Sequence, residues 1–434
     1  MSTQEPVDRQ TLIEAVVAST VGTTIEWYDF FLYGLVTGTV LNKLYFPDAD
    51  PFTGTILAFA TYSIGFLARP LGGVIFGYMG DRVGRKSMLV TTLLMMGVST
   101  LIIGFLPTYA EIGVAAPILL TVLRFVQGLG VGGEWGGAVL LALENTPGGR
   151  RGFFASWPQA GVPLGLLSAA GAVALCEGSM DTQDYETWGW RIPFYLSGAL
   201  IVVGLLIRMR IMETPLFAAL QEKKEIAEAP ITETIRQYWP EILLIAGARI
   251  TENAAFYLFT AWAVAYDKLH LKLAPGTMLL AVNLAAGIEL FTIPFFGWLS
   301  DHLSRRACYI VGCVYLLAFA FPYYLLLETR DPVWVTVATI GGLCIGHAIL
   351  YSVQASLIPE LFGTRVRCTG ASIGYQLAVP LSGGIAPIVA AFLLKYFDNE
   401  FWPLAAYIVI NSVISLACVL YLAETSKKDI VSSA

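Results

Sequence analysis

Charge is what this 434-residue chain has least of. Asp, Glu, Lys and Arg make up 13% of it, against roughly 25% in soluble domains. Hydrophobic residues make up 56%, and the mean hydropathy is +0.68. A soluble protein of this size would leave apolar patches exposed to water and aggregate, so the composition calls for lipid. The net charge of −6 says less than where the charges lie. Histidine is scarcer still, at three residues, and no second histidine or cysteine sits at ligand spacing, so a metal is not expected. The six cysteines, Cys176, Cys308, Cys313, Cys344, Cys368 and Cys418, form no CxxC pair and fall in or beside apolar runs. They read as small packing residues. No nucleotide loop, nucleophile elbow or metal motif is present. The chain therefore reads as no enzyme, with no cofactor and no nucleic-acid partner. Its first fifteen residues hold Glu5, Asp8 and Glu14 and no apolar core, which excludes a cleavable signal peptide. The first apolar helix is expected to act as its own insertion signal.

Long apolar runs are what the chain does have. A spanning helix needs about 20 mostly apolar residues, and twelve runs qualify: 16–41, 53–79, 87–106, 113–141, 152–176, 190–209, 240–266, 276–299, 307–327, 333–354, 368–395 and 402–423. The longest polar interruption, 211–239, holds Glu222, Lys223, Lys224, Glu225 and Glu228. It divides the chain into a half at 1–210, a central loop and a half at 240–434. With the N-terminus inside, 17 of the 26 basic residues fall on cytoplasmic segments, 6 on outer segments and 3 within the membrane. That bias expects both termini and the central loop in the cytoplasm.

An internal repeat supports the division. GYMGDRVGRK begins at Gly77 and GWLSDHLSRR at Gly297, 220 residues apart, each after the second helix of its half. Two related six-helix halves in parallel orientation describe an all-α membrane protein with the architecture of the major facilitator superfamily. The first repeat, with Gly77, Asp81, Arg82, Gly84, Arg85 and Lys86, resembles that superfamily's loop signature. Six further motifs occur in order: IEWYDFFLYG from Ile25, ARPLGG from Ala68, RFVQGLGVGGEWGGA from Arg124, WGWRIPF from Trp188, METPLF from Met212 and RVRCTGASIGYQ from Arg365. Together they resemble the metabolite:proton symporter family, whose members carry organic acids and betaines. Arg249, Glu252, His347 and Gln354, with Trp27, Tyr28, Asp29, Arg69, Trp135 and Gln159, are most similar to its shikimate permease branch. Glu289 departs from that branch, where an apolar or small residue is expected. The resemblance implies a bacterial inner-membrane symporter, functional as a monomer, that imports a small carboxylate with protons by alternating access. A shikimate-like hydroxy acid is favoured; a di- or tricarboxylate or a betaine-type zwitterion is the alternative. The tail after Leu422 holds twelve residues and no coiled coil, which speaks against an osmosensing betaine carrier and against a scaffold with a soluble domain. A drug efflux antiporter fits less well, because the embedded stripes are rich in charge.

A charge at the bilayer centre costs at least about 2.5–3.5 kcal/mol, so embedded ionisable groups mark a cavity, a partner or a proton path. In helix one, Glu26, Asp29 and Tyr33 share a face. Two carboxylates on one stripe resist being ionised together, which suits proton coupling; an ion pair with Arg124 or Arg69 is the structural alternative. In helix four, Arg124, Gln127, Val131, Glu134 and Trp135 form one stripe. The glycines between them, Gly128, Gly130, Gly132, Gly133, Gly136 and Gly137, read as close helix packing. Helix seven offers Arg249, Glu252, Asn253, Phe256 and Tyr257, and helix ten His347, Tyr351 and Gln354. Gln159, Trp157, Asn283, Tyr375 and Gln376 are candidate lining. Glu26, Asp29, Glu134 and Glu252 are the expected proton-coupling acids. Arg124 is the expected coupling arginine, with Arg249 secondary. Glu252 lies one turn from Arg249, whereas the nearest acid to Arg124 in its own helix is about 15 Å along the axis, which leaves Asp29 as its simplest partner. The repeat residues Asp81, Arg85, Lys86, Asp301, Arg305 and Arg306 lie at the membrane surface and are expected to gate, with Glu144, Arg150, Glu360 and Arg365 sharing the latch.

Overall fold

A computed structural model describes residues 8–47 and 51–430. Among them are twelve long helical segments: α1 Arg9–Val36, α2 Pro51–Arg82, α3 Arg85–Phe105, α4 Ala115–Glu144, α5 Arg151–Ser179, α6 Gly189–Arg210, α7 Pro230–Leu271, α8 Thr277–His302, α9 Arg305–Glu328, α10 Pro332–Leu361, α11 Thr364–Tyr396 and α12 Trp402–Tyr421. Ten of these, α3 to α12, are long and apolar enough to cross a bilayer. Residues such as Leu94, Val202, Leu280, Phe291, Val311 and Ile410 point outward, as a lipid-facing surface requires. Within the connector, Pro215–Glu222 forms a short helix, and Pro230 opens α7, whose early turns are kinked at Tyr238. Glu5 lies outside the described residues.

The helices form two six-helix halves that meet along two seams, α2 against α11 and α5 against α8. Close approach explains the glycine stretch of α4. A Cβ on Gly128 would collide with the Gly65 carbonyl of α2, and one on Gly132 with the Arg69 carbonyl. At the α5–α8 seam Gly152 and Gly297 meet backbone to backbone in the same way. All six cysteines are free, four of them buried.

The loop repeats close one side of the molecule, here called the motif side. The Asp81 carboxylate accepts the Cys368 and Thr369 N–H groups at 3.1 and 2.7 Å, at the start of α11. The Asp301 carboxylate accepts the Gly152 and Phe153 N–H groups, both at 2.8 Å, at the start of α5. Each half thus places an anion on a helix N-terminus of the other. Arg85 pairs with Asp81 at 3.2 Å and Glu144 at 3.5 Å, and Glu144 also holds Arg367 at 3.3 Å. In the other half Arg305 pairs with Asp301 at 2.8 Å and Glu360 at 3.5 Å, and Glu360 holds Arg151 at 3.2 Å.

The structure corrects several expectations. The arginines that cross between the halves are Arg151 and Arg367, not Arg150 and Arg365; Arg365 reaches Glu233 at 3.8 Å near the surface. Lys86 and Arg306 stay within their own halves and cap helix C-termini, at the Met209 and Leu420 carbonyls. Arg208, counted among the 17 basic residues of the cytoplasmic segments, is buried in the last turn of α6. The tail joins the same cluster: Thr425 donates to Glu360 at 2.6 Å, and Arg151 donates to the Lys428 carbonyl at 3.0 Å. A second pair of acids completes the repeat. Glu213 accepts the Arg85 and Lys86 N–H groups, and Glu424 those of Arg305 and Arg306. Burial pushes Glu424 up, but N–H groups led by that of Ser426 hold its carboxyl at about 2.

If these bonds close the motif side, Asp81→Asn should open the far seam as well. Ser156, buried where α5 meets α8, reports on it. In a cysteine-free background with Ser156→Cys, adding Asp81→Asn should raise the maleimide labelling rate about tenfold, equivalent to ~1.4 kcal/mol. An unchanged rate would mean that Asp81 does not hold the halves together.

Candidate functional site

A cavity lies midway along the helices, between the halves. Trp27 of α1, Arg69 of α2 and Val162 of α5 line it from one half. Arg249, Glu252, Asn253, Phe256 and Tyr257 of α7, His347 and Tyr351 of α10, and Tyr375 of α11 line it from the other. Arg69 and His347 each lie roughly 20 Å along their helices from the motif side at 1.5 Å per residue. The cavity measures about 20 Å³, room for one water molecule. Any organic substrate therefore needs the halves to part. On the side away from the motifs the contact is aromatic, with Trp27 and Phe31 on Phe256 at 6.4 and 6.1 Å and Phe66 on Tyr257 at 5.3 Å.

Irregular backbone surrounds these residues. α7 widens into a π turn at Leu258–Trp262, directly after Tyr257. α10 does so at Gly341–His347, ending on the lining histidine. α11 breaks at Ser382, where Asn253 donates to the Ser382 hydroxyl at 2.8 Å. Such turns occur often at functional sites, because they re-aim side chains that a regular helix would point elsewhere.

On the α7 side the polar groups are tightly connected. Arg249 pairs with Glu252 at 3.1 Å, donates to Gln354 Oε1 at 2.9 Å and to the Tyr375 carbonyl, and lies over the Tyr375 ring. Gln354 donates to Glu252 at 3.1 Å and to the Tyr309 hydroxyl at 2.9 Å. His347 contacts Glu252 at 3.3 Å and Glu289 at 2.5 Å. Behind Tyr375, Trp135 stacks at 3.5 Å and donates to Gln159, which donates to the Tyr351 carbonyl at 3.0 Å. Gln376 donates to the Val131 and Gly132 carbonyls and ties α11 to α4.

Arg69 is placed differently. Its guanidinium lies over Phe30, Phe66 and Trp27 at 4.5, 5.0 and 5.2 Å. Its Nε and Nη2 are buried with no hydrogen-bond partner, and it forms no ion pair with a described residue. A buried cation surrounded by aromatic faces, with free donors at a cavity, suits an incoming anion.

Seven of the residues expected in the site line this cavity: Arg249, Glu252, Asn253, Tyr257, His347, Tyr351 and Tyr375. Gln354, Gln159, Trp135 and Gln376 support it from behind. Trp157 packs on Phe153, and Asn283 is half-buried outside the lining. Arg124 and Gln127 lie elsewhere. Arg124 donates to Gln127 at 2.9 Å and packs over Tyr33 and Phe30, and Gln127 donates to Thr100 at 2.7 Å. Asp29 lies beside Thr100 and Ser197, so no direct Arg124–Asp29 ion pair forms. Glu134 pairs with Arg208 and accepts from Thr92 at 2.7 Å, close to Glu26 and away from the cavity. The sequence marks Arg69 only as an alternative ion-pair partner for the helix-one acids, not as a substrate ligand. Its signal is an arginine embedded in an apolar run, the same signal that Arg124 carries. Val162 carries no signal at all.

Two six-helix halves around a charged cavity at mid-membrane depth define a membrane transporter rather than an enzyme. The chain belongs to the major facilitator superfamily, whose profile matches residues 20–375. It is 38% identical over 415 residues to the shikimate transporter of Escherichia coli, covering 95% of each chain. It is 33% identical to the proline/betaine transporter of the same species, covering 98% of this chain and 86% of that one. In structure it is similar to the proton:xylose symporter XylE bound to 6-bromo-6-deoxy-D-glucose. There the TM-score is 0.76 at 15% identity, with 96% and 97% of the two chains covered.

The Glu134–Arg208 pair is a test of structural against transport roles. Glu134→Ala leaves a buried guanidinium unpaired and should destabilise the protein by about 3–5 kcal/mol. Adding Arg208→Leu should recover most of that loss, read as melting temperature in detergent. A double variant no more stable than the single one would show that pairing is not what Glu134 contributes.

Proposed function

We propose that this protein is a proton-coupled importer of a small carboxylate, a hydroxylated monocarboxylate by preference, in the bacterial inner membrane. The observation that carries the reading is Arg69, a cavity-lining guanidinium with donors unoccupied and no acid paired to it. A carboxylate leaving water needs a fixed charge and donors in place of its hydration, and an arginine fork supplies both. Arg249 lines the same cavity with its charge already balanced by Glu252. The first ligand is thus Arg69, with Arg249 second. Arg124 keeps the α1–α4 contact in order behind Phe30. Asn253, Tyr257 and Tyr351 are the groups that read hydroxyls. The motif side is cytoplasmic, because the basic residues gather there. The halves, 1–210 and 240–434, rock about the cavity while the Asp81 and Asp301 latches form and break. The 38% identity to a shikimate transporter supports the substrate class.

A betaine is the reading that the aromatic lining favours, since quaternary ammonium groups bind aromatic faces. Arg69 already occupies the faces of Trp27, Phe30 and Phe66, however, and would repel a second cation placed there.

Purified protein in proteoliposomes, given an inside-alkaline pH gradient and a panel of shikimate, dicarboxylates, citrate and betaine, distinguishes these. A hydroxylated monocarboxylate should accumulate, and a protonophore should abolish the accumulation. Arg69→Ala should weaken binding of that acid about 30-fold, the ~2 kcal/mol of a charge-assisted bond. Arg124→Lys should be milder. Undiminished carboxylate binding by folded Arg69→Ala, or a preference for betaine, would refute the reading.

A further inference from the structure

Three helices bring ionisable side chains to one imidazole. His347, at the end of the wide turn of α10, holds Nδ1 at 2.5 Å from Glu289 Oε1 of α8 and Nε2 at 3.3 Å from Glu252 Oε1 of α7. Glu289 is 1% exposed, and Glu252 and His347 are 2% exposed. The other groups around the ring are accounted for. Tyr351 stacks on it and Phe256 packs against it, both at 4.9 Å. Cys344 lies beside Glu289. Arg249 reaches the cluster through Glu252, Tyr309 through Gln354, and Tyr375 through Arg249.

The geometry counts a proton. A neutral imidazole has one N–H donor and one bare nitrogen. With a carboxylate oxygen on each nitrogen, both contacts are satisfied when one further proton is present, on the ring or on one of the acids. Without that proton, Arg249, Glu252, Glu289 and His347 sum to −1; with it they sum to zero. Arg69, across the cavity, adds +1 to each sum. The cavity is then neutral in two states: empty without the proton, and holding a monocarboxylate with the proton. Each half-loaded state carries one uncompensated charge in a site with little water, which is costly. The two neutral states are those that a symporter must allow to cross the membrane. The two half-loaded states are those whose passage would be leakage.

We propose that Glu252, His347 and Glu289 form the proton-binding site of the transport cycle, filled together with the substrate carboxylate at Arg69. The inference rests on the carboxylate-symport reading above. A proton from water on the entry side is shared across the two imidazole–carboxylate contacts and leaves to water on the exit side once the carboxylate has gone. Glu289 sets the count. With Gln in its place, the loaded cavity is neutral without the extra proton, so substrate can cross without one, while the empty cavity is left at +1 and returns poorly.

The test uses full-length protein in proteoliposomes and the acid that the wild type accumulates, with shikimate the first probe. One proton per carboxylate gives roughly tenfold accumulation per pH unit. In Glu289→Gln, accumulation above equality should be lost, and proton entry, followed with a trapped pH dye, should no longer accompany substrate. Exchange of labelled for unlabelled substrate needs no net proton movement, so it should persist and report that the variant is folded. Should Glu289→Gln not fold, wild-type protein in weakly buffered detergent should take up one proton per carboxylate bound. No uptake there overturns the site. Gradient-driven accumulation by both Glu289→Gln and His347→Gln overturns the site and leaves symport standing. A wild type that accumulates no acid under the gradient overturns symport and the site together.

Discussion

An ionised group removed from water must find an opposite charge or a set of hydrogen bonds, and the architecture of this protein follows from that constraint. Most of its buried arginines and acids come in sets of opposite charge. Glu144 stands between Arg85 and Arg367, Glu360 between Arg151 and Arg305, and Glu134 against Arg208. Arg249, Glu252, His347 and Glu289 make the fourth set. The first two straddle the seam between the halves, so neutralising a buried charge and closing one side of the membrane are a single event. Breaking such a set exposes charge, which is tolerable on a side that fills with water and costly elsewhere. Alternating access therefore has an electrostatic logic: only the side that opens can solvate what it unpairs.

Arg69 stands apart from these sets. Aromatic rings hold it at mid-depth, and their faces offset part of its charge without occupying its donors. That arrangement leaves the cavity one positive charge in excess when the acids are balanced, and an anion is the simplest complement.

Backbone irregularity sets where these side chains meet. The wide turns in α7 and α10 and the break in α11 all fall beside the cavity, whereas the α2–α4 contact relies on glycines that let the helices touch. Rigid packing on one side and locally unwound helices on the other position a small site between two bodies that must still move.

Much of this is legible in the sequence. Hydrophobic runs of spanning length follow from bilayer thickness, so the twelve helices can be counted, and the repeat at Gly77 and Gly297 reveals two related halves. The expense of a charge in an apolar run is enough to mark Arg69, Arg124, Arg249, Glu252, Glu289 and His347. Spacing along one helix also gives the Arg249–Glu252 pair, because neighbours three residues apart share a face. Partners on different helices are beyond it. Nothing in the sequence orients one helix about its axis relative to another, so Arg124 can be paired with Asp29 by elimination while the structure joins it to Gln127. The same limit assigns Arg150 and Arg365 to a latch that uses Arg151 and Arg367, since a single residue turns a helix face by about 100°. It also leaves Glu289 without a partner, whereas packing of α8 against α10 brings it to His347. The sequence by itself determined which charges had to be neutralised; the tertiary structure decided by whom, because pairing across helices depends on rotation and depth that no single helix encodes.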